Sequence, residues 1–316
     1  MSENTGRDLS GKPNKIEIRD VSFDYVDRNS RYSVLDHVSL TIREGEFICI
    51  LGSSGCGKST LLGLLNGLNR AKSGSILLDG EEIKGPGPDR AVVFQQYSLF
   101  PWLTVKGNIL FGIKQSGKKY TKAEREKLAE DYIKKIGLIG AANKYPGQLS
   151  GGMKQRVAVA RALALESDVL LLDEPLSAID ALLRRNLQVE IRKIQQSLKM
   201  TTIFVTHDQE EAMVMSDTIH LFNVGQIEQS GSPADIYTHP QTKFAANFIG
   251  HYNILSNPDL KKLCGLSSDC DFVAIRPEAV LISPETLNDA VHFQGKITGV
   301  MLRGTTISYT IDCDGI

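Results

Sequence analysis

The chain has 316 residues, enough for one large domain and a smaller one. Its formal net charge of -1, with 41% hydrophobic and 23% charged residues, is typical of a globular protein and excludes a strongly basic nucleic-acid-binding surface. No apolar run approaches the roughly 18 residues of a membrane-spanning helix, and residues 1–15 are too polar for a secretory signal.

The first predicted elements are strands that lead into a glycine-rich loop. Alternating polar and apolar residues over 16–26 predict a half-buried strand, and residues 38–42 predict a second one. The apolar run 46–51 predicts a buried parallel strand, and leucines at helical spacing over 58–68 predict a helix. A strand, a glycine loop and a helix in this order are the context that a phosphate-binding loop requires.

The loop reads GSSGCGKST, and its residue types suit phosphate binding. Its glycines let the backbone curl around phosphate oxygens, and the following helix directs its positive N-terminus at the anion. Lys58 is expected to reach the outer phosphates and Ser59 to bind Mg²⁺. Taken alone, the loop leaves open a plain glycine turn beside a lysine. The residues expected to hold the nucleotide are Gly52, Ser53, Ser54, Gly55, Cys56, Gly57, Lys58, Ser59 and Thr60.

Cys56 has a predicted property of its own. It stands beside Lys58 and close to a helix N-terminus, and both features favour a thiolate. We therefore expect a lowered pKa for this thiol and protection from alkylation when ATP is bound.

Helices are predicted in the middle of the chain. Residues 120–136 carry apolar side chains three and four apart among many charges, which predicts an exposed amphipathic helix. Ser150 is placed to cap the N-terminus of a helix that runs through Ala164. From Phe272 the residues predict short strands with turns.

An acidic pair follows the next apolar strand. Residues 169–172 are all apolar and lead directly into Asp173 and Glu174. Because open α/β sheets bind ligands at the carboxyl ends of their strands, both carboxylates are expected in a ligand site. We expect Asp173 to hold Mg²⁺ and Glu174 to polarise the attacking water, a role that contributes about 10²–10⁴-fold to rate.

The order of the motifs indicates a family. The phosphate loop, the segment Leu149–Met153 (LSGGM) and the acidic pair resemble the ATP-binding-cassette (ABC) ATPases over about residues 16–250. The resemblance implies an α/β fold: a P-loop NTPase (RecA-like) core with antiparallel β and helical subdomains, plus a small C-terminal β-domain. It also implies ATP and Mg²⁺ as cofactors.

Two segments match family motifs that act between subunits. In these ATPases the LSGGM segment of one subunit caps the ATP held by the other, which implies nucleotide contacts for Ser150, Gly151 and Gly152. The segment SAID resembles the D-loop, usually SALD, and implies the same for Asp180; Ile179 is a mild departure. The resemblance therefore implies an ATP-dependent dimer of two copies of this chain.

Three further residues gain a role from the resemblance. His207 in THDQEEA matches the histidine that contacts the γ-phosphate, and Gln95 in VVFQQ matches the Q-loop, with Gln96 as the neighbouring alternative. Tyr25 in VSFDY matches the aromatic residue that stacks on adenine. The implied catalytic set is Glu174, His207 and Gln95, and the implied Mg²⁺ ligands are Ser59, Gln95 and Asp173.

Residues 97–105 (YSLFPWLTV) are apolar and aromatic and include Trp102. Core packing is one interpretation; a groove for a helix of a membrane permease, as in ABC importers, is the other.

Residues 85–112 resemble the nitrate, sulfonate and taurine importer ATPases. Residues 230–250 and 272–278 resemble the polyamine, iron, sulfate and phosphonate type with a C-terminal β-domain. The implied function is the energy-coupling subunit of a bacterial importer with an anionic cargo; polyamine or iron is the alternative.

The resemblance also implies the domain organisation. Residues 1–14 are expected to form a polar tail, 15–250 the ATPase domain with a helical subdomain at about 101–161, and 251–316 a partial β-domain of the TOBE or OB type. The expected partners are a second copy, integral membrane permease subunits and, indirectly, a substrate-binding protein, with no nucleic acid.

Two rival functions are disfavoured. The soluble ABC ATPases of DNA repair have a long coiled coil between the phosphate loop and the LSGGM segment. Here only 91 positions separate Lys58 from Leu149, which leaves no room for such an insertion. A regulatory module without turnover does not need Lys58, Asp173, Glu174 and His207 together. The 5 scattered cysteines, with no CxxC pair, argue against disulfides or zinc and for a reducing compartment. Together with this compartment, the resemblance to importer ATPases implies a peripheral location at the cytoplasmic face of the inner membrane.

Overall fold

A computed structural model describes residues 11–27, 30–96, 98–250, 252–283, 291–303, 306–313 and 315–316. The chain divides into two compact units, of which the first ends at Ile236 and the second begins at Tyr237. Residues 1–10 of the predicted tail and Tyr97 of the aromatic segment lie outside the described residues. The predicted domain boundary after residue 250 stays a prediction.

The described part of the first unit contains both β-strands and α-helices, with three strands in succession at the start and three α-helices in succession after β6. In chain order they are β1 (Asn14–Asp27), β2 (Ser30–Arg43), β3 (Phe47–Gly52), α1 (Lys58–Leu65), β4 (Ser73–Leu78), β5 (Glu81–Glu82), β6 (Arg90–Val93), α2 (Val105–Gln115), α3 (Lys122–Lys135), α4 (Gly151–Leu163), β7 (Val169–Asp173), α5 (Ala181–Leu198), β8 (Thr201–Thr206), α6 (Gln209–Met215), β9 (Thr218–Asn223) and β10 (Gln226–Gly231).

The central sheet carries the site. Among the described residues its strand order is β10-β9-β3-β8-β7-β6, with antiparallel pairing only between β9 and β10. Every residue of β3, β7 and β8 is buried, as expected for parallel strands covered on both faces. A second, antiparallel sheet has the order β2-β1-β4-β5. The predicted fold class, a P-loop NTPase core with antiparallel β and helical parts, is confirmed.

Side-chain caps set where several helices begin. Ser150 Oγ accepts a hydrogen bond from the Met153 N–H at 3.4 Å, which confirms the predicted cap of α4. Thr121 and Glu124 form a capping box at α3, where the sequence predicted a helix over 120–136. Each cap satisfies backbone N–H groups that the first helical turn leaves unpaired.

Two elements differ from the sequence prediction by three residues or more at one end. β2 begins at Ser30 rather than at residue 38. The register between β1 and β2 shifts within this stretch, and His37 has a φ of +51°. These irregularities interrupt the alternation on which the prediction rested. α1 ends at Leu65 rather than at residue 68, and Gly67 follows in the left-handed region with a φ of +76°.

The second unit contains short elements. α7 (Pro233–Thr238) reaches into it, followed by α8 (Lys243–Gly250), β11 (Asn253–Ser256), α9 (Asn257–Cys264), β12 (Phe272–Ile275), β13 (Lys296–Arg303) and β14 (Thr306–Asp312). β11 pairs with β12 and β13 with β14, both antiparallel. The predicted TOBE or OB character of this region stays a prediction. In the described part of the whole chain, no helix is both long and apolar enough to cross a membrane.

Candidate functional site

The phosphate loop encloses a lysine ammonium group. Lys58 is 4% exposed, and its Nζ donates to the carbonyl oxygens of Gly52 at 2.9 Å and Ser53 at 2.7 Å. No carboxylate of the described residues forms an ion pair with it. Because a buried cation is costly without an opposite charge, this arrangement suits an anionic ligand. The residues present therefore fit the polyphosphate of a nucleotide.

The loop backbone leaves space on its outer side. Gly55 has a φ of +81°, and a Cβ added there would meet no atom within 4 Å. Gly57 has a φ of +109°, and a Cβ there would lie 2.8 Å from the carbonyl oxygen of Val34. Gly57 thus allows β2 to pack closely against the loop. Ser53, Ser54 and Gly55 are exposed and form the side of the loop that a ligand can reach.

The predicted pKa of Cys56 is wrong in direction. The side chain is buried, and burial raises the pKa of the thiol above its ordinary value of 9.0. The charge of Lys58, whose Nζ lies 3.9 Å from the sulfur, lowers the pKa by less than burial raises it. The sequence shows that Lys58 is a neighbour of Cys56, but it does not show that the folded chain buries the thiol away from water.

Ser59 and Asp173 meet at the carboxyl ends of the strands. Ser59 Oγ donates to Asp173 Oδ1 at 3.0 Å, joining the start of α1 to the end of β7. Burial raises the pKa of the Asp173 carboxyl, and the hydrogen bond from Ser59 opposes that rise. A hydroxyl beside a single carboxylate fits Mg²⁺, which usually takes one or two carboxylates and completes its shell with phosphates and water.

The Glu174 carboxylate lies between two predicted site residues. His207 Nδ1 is 3.1 Å from Oε1, and Gln95 Nε2 donates to Oε2 at 3.5 Å. The backbone N–H of Glu174 donates to the carbonyl of Val205 at 3.0 Å, and its φ of +44° is a strained value for a residue with a side chain. Three strand ends, those of β6, β7 and β8, therefore converge on one carboxylate.

The LSGGM segment, here called the signature segment, contains the start of α4, and its Gly152 packs on the D-loop. A Cβ on Gly152 would lie 2.8 Å from the carbonyl oxygen of Ala178, so this contact requires glycine. Arg156 Nη1 donates to the Ile136 carbonyl at 2.8 Å. Asp180 Oδ1 accepts from the Leu183 N–H at 3.1 Å and caps α5.

Tyr25 lies near the end of β1 with 48% of its surface exposed. Its ring makes an edge contact with Phe23 at a centroid distance of 5.0 Å, which leaves a face available. The neighbouring Asp24 carboxylate forms ion pairs with Arg31 and, at 2.8 Å, with Lys72. These ion pairs hold the backbone next to Tyr25 in place, while its ring stays exposed.

The predicted site residues fall into separate groups. The loop residue Ser59 joins Asp173, and Glu174 joins Gln95 and His207. In the part of the chain that the structure describes, no hydrogen bond or ion pair links the signature segment (Ser150, Gly151 and Gly152), Asp180 or Tyr25 to the phosphate loop.

Sequence reasoning missed Arg184, Thr206 and Glu211, which form a bonded cluster behind His207. The pattern Asp208-x-x-Glu211 was visible as a helix-start signal, and Asp208 caps α6. Nothing in the sequence pattern distinguished Arg184 from a solvated helix residue, because its partners are 24 or more positions away or lie in a loop.

Comparison with known proteins shows the family of the chain. A family model described as "ABC transporter" matches residues 35–177. The spermidine/putrescine import ATP-binding protein PotA of Bacteroides fragilis is 40% identical over 315 residues, covering 95% of this chain and 67% of that protein. The chain belongs to the ABC transporter family. It is an ATP-binding subunit of this family, an ATPase whose hydrolysis is coupled to transport.

Other ABC relatives import different cargo. The sulfate/thiosulfate import ATP-binding protein CysA 2 of Chromobacterium violaceum is 42% identical over 301 residues, covering 87% of this chain and 81% of that protein. The Fe(3+) ions import ATP-binding protein FbpC of Brucella abortus is 40% identical over 315 residues, covering 93% of this chain and 88% of that protein.

The dimeric structure of MJ0796, a bacterial ABC transporter cassette, superposes with a TM-score of 0.64 at 31% identity, covering 69% of this chain and 98% of that one.

Proposed function

We propose that this chain energises a bacterial importer as a pair of copies that hold ATP between them at a membrane permease. The observation that carries the proposal is the Glu174 carboxylate between His207 and Gln95. Ser59, at the start of α1, bonds to Asp173 at the end of β7, and Glu174 is the next residue of the chain. This arrangement provides a base and a metal-binding pair at the carboxyl ends of neighbouring strands.

In this proposal the chain's own residues have distinct roles. Lys58 and the loop N–H groups bind the β- and γ-phosphates, and Tyr25 stacks on adenine. Ser59 and Asp173 would hold Mg²⁺, which neutralises phosphate charge when bound, and Gln95 lies near enough to Glu174 to orient water beside it. Glu174 accepts the proton of the attacking water, while His207 positions that carboxylate.

The signature segment supports a two-copy site. Ser150 caps the N-terminus of α4, whose positive end is an anion site, yet within the described residues it has no bond to its own phosphate loop. The triphosphate held by the second copy would supply the negative charge that the N-terminus of α4 favours. One similar structure is described as a dimeric post-hydrolysis cassette bound to ADP and Pi, with a TM-score of 0.63 and 31% identity.

The aromatic segment before α2 supports a docking surface for the permease. Trp102 is 70% exposed, and its ring and that of Phe111 both contact Phe100, at 5.5 Å and 4.6 Å. The fully buried Asn108 holds the segment, because its Nδ2 donates to the carbonyls of Phe100, Leu103 and Thr104 at 3.1–3.3 Å. An exposed indole on a rigid segment suits an apolar helix of a membrane subunit.

For the cargo we propose an anion of the nitrate, sulfonate, taurine or phosphonate class. The resemblance of residues 85–112 to the nitrate, sulfonate and taurine importer ATPases supports this class, and a sulfate/thiosulfate import protein is 42% identical. The spermidine/putrescine relatives, 39–46% identical, and the Fe(3+) relatives, 40% identical, define the alternative. The subunit itself provides no cargo site in this scheme, so its partners carry the specificity.

Affinity purification of the chain from its native membrane tests the proposal. We expect permease subunits and a substrate-binding protein to co-purify, and binding assays on that protein with sulfate, taurine, nitrate, putrescine and Fe³⁺ name the cargo. Trp102→Ala is expected to abolish the permease association while ATP binding persists. Recovery with ribosomes or nucleic acid alone would overturn the importer function.

A further inference from the structure

Arg184, in the first turn of α5, contacts three separate groups through its guanidinium. Its Nη2 donates to the backbone carbonyl of Ile179 at 3.1 Å, and its Nη1 donates to Asp208 Oδ2 at 3.1 Å. Its Nε lies 3.7 Å from Glu211 Oε1, which is an ion-pair distance and too long for a hydrogen bond. The planar, five-donor shape of arginine permits all three contacts at once, and lysine does not offer this geometry. One side chain thus joins the segment before α5 to the segment that carries His207.

The residues on either side of His207 belong to the same bonded cluster. Thr206 Oγ1 donates to Glu211 Oε2 at 2.6 Å and accepts from the backbone N–H of Asp208 at 3.0 Å. The backbone N–H of Glu211 donates in turn to Asp208 Oδ1 at 3.3 Å. The backbone before and after the histidine is therefore fixed relative to the Glu211 carboxylate.

Arg184 supplies the positive charge of this cluster. Glu211 is 3% exposed, and burial raises the pKa of its carboxyl, with a smaller rise from the charge of Asp208; the Thr206 hydrogen bond and the Arg184 charge lower it. Among the described residues, Arg184 is the cation that forms an ion pair with this carboxylate. Without that cation, the carboxylate would lose its counter-charge in a buried position, and such sites relax by protonation or by movement.

We propose that Arg184 is a positioning residue for ATP hydrolysis. Through Asp208 and Glu211 it holds His207 at the Glu174 carboxylate, where the Nδ1–Oε1 distance is 3.1 Å. Through the Ile179 carbonyl it ties this placement to the D-loop, the segment that the proposed dimer brings to the second copy. The inference rests on the proposed function of His207 and Glu174. A displacement of about 1 Å in such a group costs on the order of 10²-fold in rate.

The chain offers a matched control, because Arg185 is the next residue and is exposed. Arg184→Met is expected to lower kcat about 10- to 100-fold, while the Kd for ATP stays within about twofold of the native value. Arg185→Met is expected to leave kcat and Kd unchanged. Equal kcat in the two variants, or a loss of ATP binding that accounts for the whole loss of rate in Arg184→Met, would overturn the inference.

Arg184→Lys covers the case in which Arg184→Met does not fold. It keeps a positive charge near Glu211 and loses the three-way contact, so we expect native thermal stability with a several-fold lower kcat. A native kcat in a folded Arg184→Lys chain contradicts a positioning role.

A double-mutant cycle with His207→Ala separates positioning from general packing. Measured in single turnover with enzyme in excess over labelled ATP, Arg184→Met is expected to cost less than about twofold once His207 is gone. A cost as large as in the native background would show that Arg184 does not act through His207. Absence of hydrolysis by the native chain would instead defeat the proposed function itself, so the two failures are distinguishable.

Discussion

His207 Nδ1 and Glu174 Oε1 lie 3.1 Å apart, although the two residues follow different strands and the whole of α5 and β8 separates them along the chain. The contact joins the residue expected to accept a proton from water to the residue expected to face the γ-phosphate. The imidazole therefore lies against one carboxylate oxygen, and the other oxygen lies 3.5 Å from Gln95 Nε2.

Glu174→Gln removes the base and keeps the shape of the side chain. We expect ATP binding to persist, hydrolysis to fall by about 10²–10⁴-fold, and an ATP-bound dimer to accumulate. Light scattering with and without ATP measures the dimer, and phosphate release measures the rate. Glu210→Gln, at an exposed acid of α6, is the control. A Glu174→Gln chain that hydrolyses ATP normally as a monomer would remove Glu174 from the mechanism.

Cys56 is expected to react slowly with iodoacetamide. Because burial raises its pKa above 9.0, the thiolate fraction at pH 7.5 is small and the labelling rate continues to climb with pH beyond 9. The exposed Cys270 serves as the internal reference, and mass spectrometry of tryptic peptides follows both residues. Faster alkylation of Cys56 than of Cys270 at pH 7.5 would restore the original prediction of a lowered pKa.

Gly152→Ala is expected to destabilise the contact between α4 and the D-loop. The added Cβ would lie 2.8 Å from the Ala178 carbonyl oxygen, so backbone has to move. We expect the free energy of unfolding to fall by about 1–3 kcal/mol. Gly147→Ala, where a Cβ would meet nothing within 4 Å, is expected to change it by less than about 0.5 kcal/mol. Urea titration of both variants measures the difference, and equal midpoints would contradict the crowding argument.

His220 is expected to make the protein less stable in acid. Burial lowers the pKa of its imidazole from 6.5 to about 4, so between these values the unfolded chain binds more protons. The stability that comes from the neutral ring is complete above pH 6.5 and is lost as pH falls towards 4, by about 2–3 kcal/mol at pH 4.5. A His220→Gln chain should lose less stability between pH 7.5 and 4.5 in urea titrations. An equal loss in both chains would assign the acid sensitivity to other groups.

Local pattern predicted the parts of the site that a single strand, loop or helix start positions. Lys58, Asp173 and Ser150 follow directly from a glycine loop, a buried strand and a helix cap, all of which depend on residues a few positions apart. The fold class followed from the same local signals together with the family resemblance.

Contacts between distant segments were beyond such reasoning. Cys56 lies in a desolvated position that depends on packing by other elements, so its neighbouring lysine gave the wrong sign. Arg184 is one of two adjacent arginines in an amphipathic helix, and only the approach of Ile179 and Asp208 distinguishes it from Arg185. The start of β2 was missed because a left-handed His37 breaks the alternation.

The backbone of Glu174 sets stability and activity against each other. Its φ of +44° is a conformation that glycine and asparagine tolerate more readily than glutamate, and strain of this kind costs on the order of 1–3 kcal/mol. A screen that rewards heat resistance alone is therefore expected to favour replacements at position 174 that discard the carboxylate. Thermostabilised versions of this ATPase need a selection for turnover at the same time.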